Sequence, residues 1–454
     1  MTAAMFSARG AARRGVGGRW TIAALLVVLP IAIIAALSWT LRAPAADRLD
    51  ERGRTFVGLA LQMGRIDPEE VDGYSGPPEL RPAATDPVPS LAALRRDLAS
   101  LATQLAEEDS TSRRATRLSG RIANLIALID VKSAPHPLPF DEEARRLYGI
   151  DAAAADGLAK RQAIARLETL LPGPGSLAVR VAAFRDHYAV PEAVREAMFA
   201  RTLAECRRRT LAHWPMPAAE RLAIVWTSDV QSAWHRYDGG FRSTLRINPR
   251  AVGFVGSMID LACHEGYPGH HAQFVLQDQA AGAGGLPIEE RVVLLRSADS
   301  MFREGAASYG VDLAFPAADR IAFERDVLFP LAGFPPAEAA RFAEVRALID
   351  ALSAATVPIL RDYRDGRIDG EAAVAALDRD ALVSSPRPLL GFVDALGPYV
   401  LGYTVARDWV RTSVERRAAG GDRWALLGRA VTHVALPPPA SVSPVKPSRT
   451  GFLS

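Results

Sequence analysis

The chain has 454 residues, 49% of them hydrophobic and 7% aromatic, enough to bury the core of two or three domains or of one large helical body. Its 54 Lys and Arg stand against 51 Asp and Glu, and no basic stripe interleaved with aromatics occurs, which argues against a nucleic-acid partner. Two cysteines, Cys206 and Cys263, exclude a disulfide-rich scaffold and a cysteine zinc cluster.

Residues 1–19 carry Arg9, Arg13, Arg14 and Arg19 and no acid, and residues 20–41 carry no charge at all. The length and polarity predict a transmembrane anchor over 20–41, with a cytoplasmic basic segment before it and the remainder outside the cytoplasm. A cleaved signal sequence is the alternative, although its apolar core is usually about 7–15 residues. Residues 42–90, punctuated by Pro77, Pro78, Pro82, Pro87 and Pro89, read as a stalk.

Helical periodicity then takes over, and 91–215 reads as an N-terminal helical region. Leu91, Leu94, Leu98, Leu101 and Leu105 form one stripe; Leu118, Ile122, Leu125 and Ile129 form a second. Further helices are expected near 157–171, 175–188 and 191–212. From Arg221 the pattern changes. Leu222 to Trp226 reads as a buried strand, and Phe241 to Ile247 alternates with period two, as a half-exposed strand does. Asn248-Pro249 then caps a helix expected over 250–265. A second helix is expected over 288–314 and a last one over 396–417, with Tyr399 and Tyr403 on one face. Residues 436–454, rich in proline, read as a disordered tail.

The expected helix over 250–265 ends in His264-Glu265-Gly266-Tyr267-Pro268-Gly269-His270-His271-Ala272-Gln273. Two imidazoles and a carboxylate make a catalytic zinc shell that leaves a position open, and a glutamate beside the first histidine can serve as general base. In the common pattern the second histidine follows at i+4 on one helix face. Here i+4 is Pro268, and a regular helix would place i+6 about 9 Å along the axis, too far to share a metal. Pro268 lacks an N–H and Gly269 tolerates unusual backbone angles, so a bulge there would bring His270 into the i+4 role. His271 remains the alternative. Glu304, set among Ser297, Ser300, Ser308 and Val311 at helical spacing, is the candidate third ligand. Cys263 reads as a small buried residue.

These residues resemble the HExxPGHHxQ signature of the domain-of-unknown-function 885 family, whose members look like gluzincin zinc peptidases. Glu304-Gly305-Ala306-Ala307-Ser308-Tyr309 is similar to that family's EGWALY segment, with Ala306 in place of Trp and Ser308 in place of Leu. Tyr399 to Ala406 is similar to its C-terminal segment around a tyrosine, which matches Tyr403. The resemblance implies a mainly helical fold like gluzincin carboxypeptidases and dipeptidases, with a small sheet beside the zinc-binding helices of 216–435.

The expectation is therefore a membrane-anchored, extracytoplasmic zinc peptidase, carboxypeptidase- or dipeptidase-like, acting on a peptide substrate. His264, His270 and Glu304 hold Zn2+, Glu265 moves the proton and Tyr403 stabilises the oxyanion. The strand at 241–247 pairs with the substrate backbone, and Arg242 and Arg246 receive its carboxylate. A zinc amidase or esterase on a non-peptide substrate, or an anchored helical protein with a vestigial metal site, are the alternatives.

Overall fold

Helices dominate the computed structural model, which describes residues 45–107, 112–152, 157–230 and 232–433. The basic segment and anchor expected over 1–41 and the tail expected over 436–454 lie outside the described residues. From Arg52 onward the chain forms one compact unit. No domain boundary falls at 215: Arg114 of the N-terminal helices grips Glu289 at 2.8 Å, and Arg121 donates to the carbonyl of Val292.

The stalk expectation fails over its first half. Helix α1, Ala45–Ile66, precedes the prolines, and its Phe56, Val57, Ala60 and Met63 are fully buried. Their three- and four-residue spacing is the usual inward stripe. Strand β1, Val71–Tyr74, follows and pairs antiparallel with β5, Val292–Leu294. The Glu70 carboxylate locks this start, accepting from the Arg296 backbone at 3.0 Å and its guanidinium at 2.7 Å. Local pattern gave no sign of a partner strand so distant in sequence.

Helices α2, Leu91–Glu107, and α3, Arg113–Ser133, bury the two expected leucine and isoleucine stripes, except that Leu91 stays half-exposed. Helices Gly157–Leu170 and Leu177–His187 follow, then α4, Glu192–Leu211. A three-stranded sheet comes next, in the order β2-β4-β3. It comprises β2 (Arg221–Trp226), β3 (Ala233–Gly239) and β4 (Arg242–Ile247). Strand β4 lies in the middle, parallel to β2 and antiparallel to β3.

Asn248 caps a short 3-10 turn through Arg250 N at 3.0 Å, and helix α5, Val255–Glu265, begins only after it. Cys263 on α5 is bonded to Cys206 on α4, with both residues fully buried and their Cα atoms 5.4 Å apart. This disulfide ties α4 to the residue directly before His264. The bond spans 57 residues, so chain entropy assigns it about 4 kcal/mol of stability. Reductant, or the Cys206→Ser/Cys263→Ser pair, should lower the melting temperature of the purified protein by several degrees. An unchanged melting curve would contradict that role.

Helix α6, His270–Gly282, follows α5 directly. The helix expected from 288 starts later: Val292–Leu294 is strand β5, and α7 runs Ala298–Ala314 with Ser297 as its cap, accepting from Ser300 N at 3.0 Å. The last expected helix is likewise divided into α8 (Pro386–Leu396), a 3-10 segment (Gly397–Tyr403) and α9 (Val405–Ala418). Among the described residues, only the run Pro386–Ala418 is long and apolar enough to cross a membrane, and 50% of its apolar window is buried inside the fold.

Candidate metal centre

The break between α5 and α6 creates the centre. Two separate helices meet there, in place of one helix with a bulge. Pro268 has no N–H to continue α5, and the Tyr267–Pro268 peptide is cis. Gly269 then folds back over the end of α5 and donates its N–H to the Cys263 carbonyl at 3.0 Å. A Cβ at Gly269 would lie 1.6 Å from the His264 carbonyl oxygen, so only glycine fits this turn. Helix α6 restarts at His270 and sets its ring against His264, centroids 4.8 Å apart and nearly perpendicular.

Helix α7 supplies the carboxylate. His264 Nε2 faces Glu304 Oε2 at 3.3 Å, and His270 Nε2 faces Glu304 Oε1 at 3.2 Å. The three ligand atoms lie within 4.8 Å of one another. Glu304 is buried, and its Oε2 accepts no hydrogen bond, an orphaned oxygen that a cation would satisfy. Burial alone would raise the Glu304 carboxyl, but His270 and His264 hold it well below the ordinary range. Burial likewise opposes protonation of His270, yet Glu304 lifts it to about 9. Two imidazoles converging on one carboxylate fit a zinc-type cation.

Glycines bring the helices close enough for this. A Cβ at Gly305 would meet the Ala406 carbonyl at 2.5 Å, and one at Gly402 would meet Glu304 Cβ at 2.8 Å. Tyr399 donates to Glu304 Oε1 at 2.9 Å and lies 3.1 Å from Ser300 Oγ. Ser308 Oγ lies 3.4 Å from His264 Nδ1 and so offers the first histidine an orienting partner.

His271 turns the other way and is fully buried. Its Nδ1 is 2.7 Å from Ser243 Oγ on β4, and its Nε2 is 2.8 Å from Glu220 Oε1. Glu220 also accepts from Tyr267 and, at 2.9 Å, from Arg207. Neither Ser243 nor Glu220 was a sequence candidate, because the network joins α4, the residue before β2, the Tyr267 turn, β4 and α6 and has no local motif.

Glu265 is half-buried, forms no hydrogen bond or ion pair with any described residue, and exerts its charge on His270, Tyr403 and Asp72. Tyr403 is 41% exposed, and its ring lies 5.8 Å from that of His264. The two tyrosines do not share a helix face, since both sit on the 3-10 segment, and it is Tyr399 that hydrogen-bonds the carboxylate.

Two substrate-binding expectations are overturned. Strand β4 has both edges paired, so no substrate strand can add to it. Arg242 and Arg246 lie on the outer face of the sheet, alternating with the inward Ser243 and Leu245. Arg246 pairs with Asp229 and stacks on the exposed Trp234, 5.9 Å from the ring centroid.

Two residues beside the centre were missed. Asp72, on β1, feels His270, Glu304, Arg303 and Glu265, and burial is the main reason its carboxyl is pushed up to about 6. His235, on β3, has its ring 6.0 Å from that of His270 and stacks on Phe274 at 5.6 Å. The alternation Trp234, His235, Arg236, Tyr237 before an Asp-Gly turn was a readable strand signal for His235. Asp72 had none.

No family model and no curated protein matches the chain. Among solved structures it is similar to the "putative lipoprotein from Colwellia psychrerythraea" at 14% identity and a TM-score of 0.48, over 77% of this chain and 68% of that one.

Proposed function

We propose that the chain is a zinc-dependent peptidase, anchored by residues 20–41 with its catalytic unit outside the cytoplasm. The observation that carries this reading is the convergence of His264, His270 and Glu304 around an orphaned carboxylate oxygen, with Glu265, unpaired among the described residues, acting on His270. His264 and His270 would hold the cation through their Nε2 atoms and Glu304 through its carboxylate. When bound, zinc supplies a Lewis acid that polarises a carbonyl and acidifies water.

The chain's own residues do the rest. Glu265 takes the proton of the attacking water and hands it to the departing amine. Tyr403, exposed beside His264, donates its O–H towards the carbonyl oxygen as charge develops there. Tyr399 keeps the Glu304 carboxylate in place, and Ser308 steadies the His264 ring. The motif resemblance to the domain-of-unknown-function 885 family supports the same chemistry. The Cys206–Cys263 bond supports an oxidising compartment, where such bonds persist.

Metal analysis and peptide hydrolysis on one purified sample test the proposal. About one zinc per chain is expected, with hydrolysis lost to a chelator and restored by added zinc. Zinc-loaded protein that cleaves esters or non-peptide amides but no peptide would refute the peptidase reading.

A further inference from the structure

The metal ligands leave the substrate's polar ends unassigned, and the surroundings of His270 bear on them. Strand β1 carries a bulge: Val71 pairs with Leu294 and Gly73 with Val293, so Asp72 is the extra residue outside the ladder. Bulges of this kind re-aim a side chain and gather beside active sites. Asp72 is half-buried and forms no hydrogen bond or ion pair with any described residue.

Strand β3 runs alongside β1. From it His235 faces the same histidine, only 8% exposed, and its Nε2 is buried without a hydrogen-bond partner. Buried polar atoms are rarely left so unless something else occupies their lone pair or proton. A carboxylate and an imidazole, both unpaired, thus flank one side of the centre.

A receptor for a substrate carboxylate would need a cation there whose charge is not already balanced. Arg242 and Arg246 lie on the far face of the sheet. The Arg303 guanidinium lies over the Phe274 ring at 5.0 Å; its Nε and Nη1 also lack a hydrogen-bond partner, but its charge is already offset by Asp299 and by Asp72 itself.

We propose that the centre acts on substrates with a free amino terminus, and that Asp72 and His235 together receive the ammonium of the residue whose carbonyl is attacked. This rests on the metallohydrolase reading and narrows it to an aminopeptidase type. The ammonium donates to the Asp72 carboxylate and to a neutral His235 nitrogen, both acceptors. Asp72 and His235 are positioning residues, since they hold the substrate without taking part in bond cleavage.

The probes are leucine hydroxamate and N-acetyl-leucine hydroxamate, which share the metal-binding group and differ in the ammonium. Calorimetric titration of the zinc-loaded full chain in detergent should show the free-amine compound binding about 10- to 100-fold tighter, the range for a charge-assisted hydrogen bond. Asp72→Asn should abolish most of that preference at unchanged zinc content, and His235→Phe, which keeps the stacking on Phe274, should reduce it. Equal binding of the two probes, or a preference that survives Asp72→Asn, overturns the proposal. If Asp72 only balances the buried Arg303, Asp72→Asn will lower the melting temperature and leave the preference intact, which also overturns it. Preference for the amine without hydrolysis of any peptide would uphold the ammonium site at Asp72 and His235 and sink the hydrolase reading, and with it the aminopeptidase assignment. Binding of neither probe would sink both.

Discussion

His270→Ala should strip zinc from the protein, and His271→Ala should leave the zinc in place. The two histidines are adjacent in sequence and opposite in role. His270 faces Glu304 at 3.2 Å, whereas His271 spends both ring nitrogens on Ser243 and Glu220. Removing His270 deletes one of three protein donors, so zinc affinity should fall beyond the roughly 10- to 100-fold typical of an outer-shell change. Removing His271 leaves buried Glu220 and Ser243 short of a partner, at a cost of about 1–3 kcal/mol. Metal content after dialysis and a thermal melt separate the outcomes. Zinc should disappear in His270→Ala with a modest change in melting temperature, and persist in His271→Ala with a larger one. Zinc lost from His271→Ala and retained by His270→Ala would assign the metal to the wrong imidazole.

The sequence made some of this readable because some causes are local. The stripes at Leu94, Leu98, Leu101 and Leu105 and at Leu118, Ile122, Leu125 and Ile129 are buried, since a helix face needs only its own periodicity to be recognised. The His264, Glu265 and His270 cluster was legible for the same reason. What failed was non-local. Strand β1 is held by β5, more than two hundred residues away, and a four-residue strand carries too little pattern of its own. Alternation in β4 separated Arg242 and Arg246 from Ser243 and Leu245, but it could not say which side met the metal helices. That side is fixed by the contact between Ser243 and His271. The four-residue spacing of Tyr399 and Tyr403 suggested a helix face. Gly397-Pro398 and Gly402 instead tighten the chain into a 3-10 segment, where Gly402 lets the backbone approach Glu304. Pro268-Gly269 was readable as a disturbance, though whether it bulged or broke the helix depended on how closely Gly269 could cross the His264 carbonyl.

Glu265→Gln should retain zinc and the fold while losing most turnover. Glu265 follows His264 on α5, so its side chain leaves the helix at a different angle from the imidazole. It belongs to the cluster electrostatically, acting on His270 and Tyr403, without being one of the three converging ligands. Glutamine keeps its length and one acceptor oxygen but cannot take up the proton of water or return it to an amine. Loss of a general base typically costs about 10²–10⁴ in rate. Because no described residue hydrogen-bonds Glu265, the substitution orphans no partner, and the melting temperature should stay close to that of the parent. Zinc should remain near one per chain, since His264, His270 and Glu304 are untouched. Steady-state kinetics should place the loss in kcat, with KM little changed, as expected for an interaction realised only in the transition state. Undiminished turnover would remove Glu265 from the mechanism, and loss of zinc with turnover would make it a ligand.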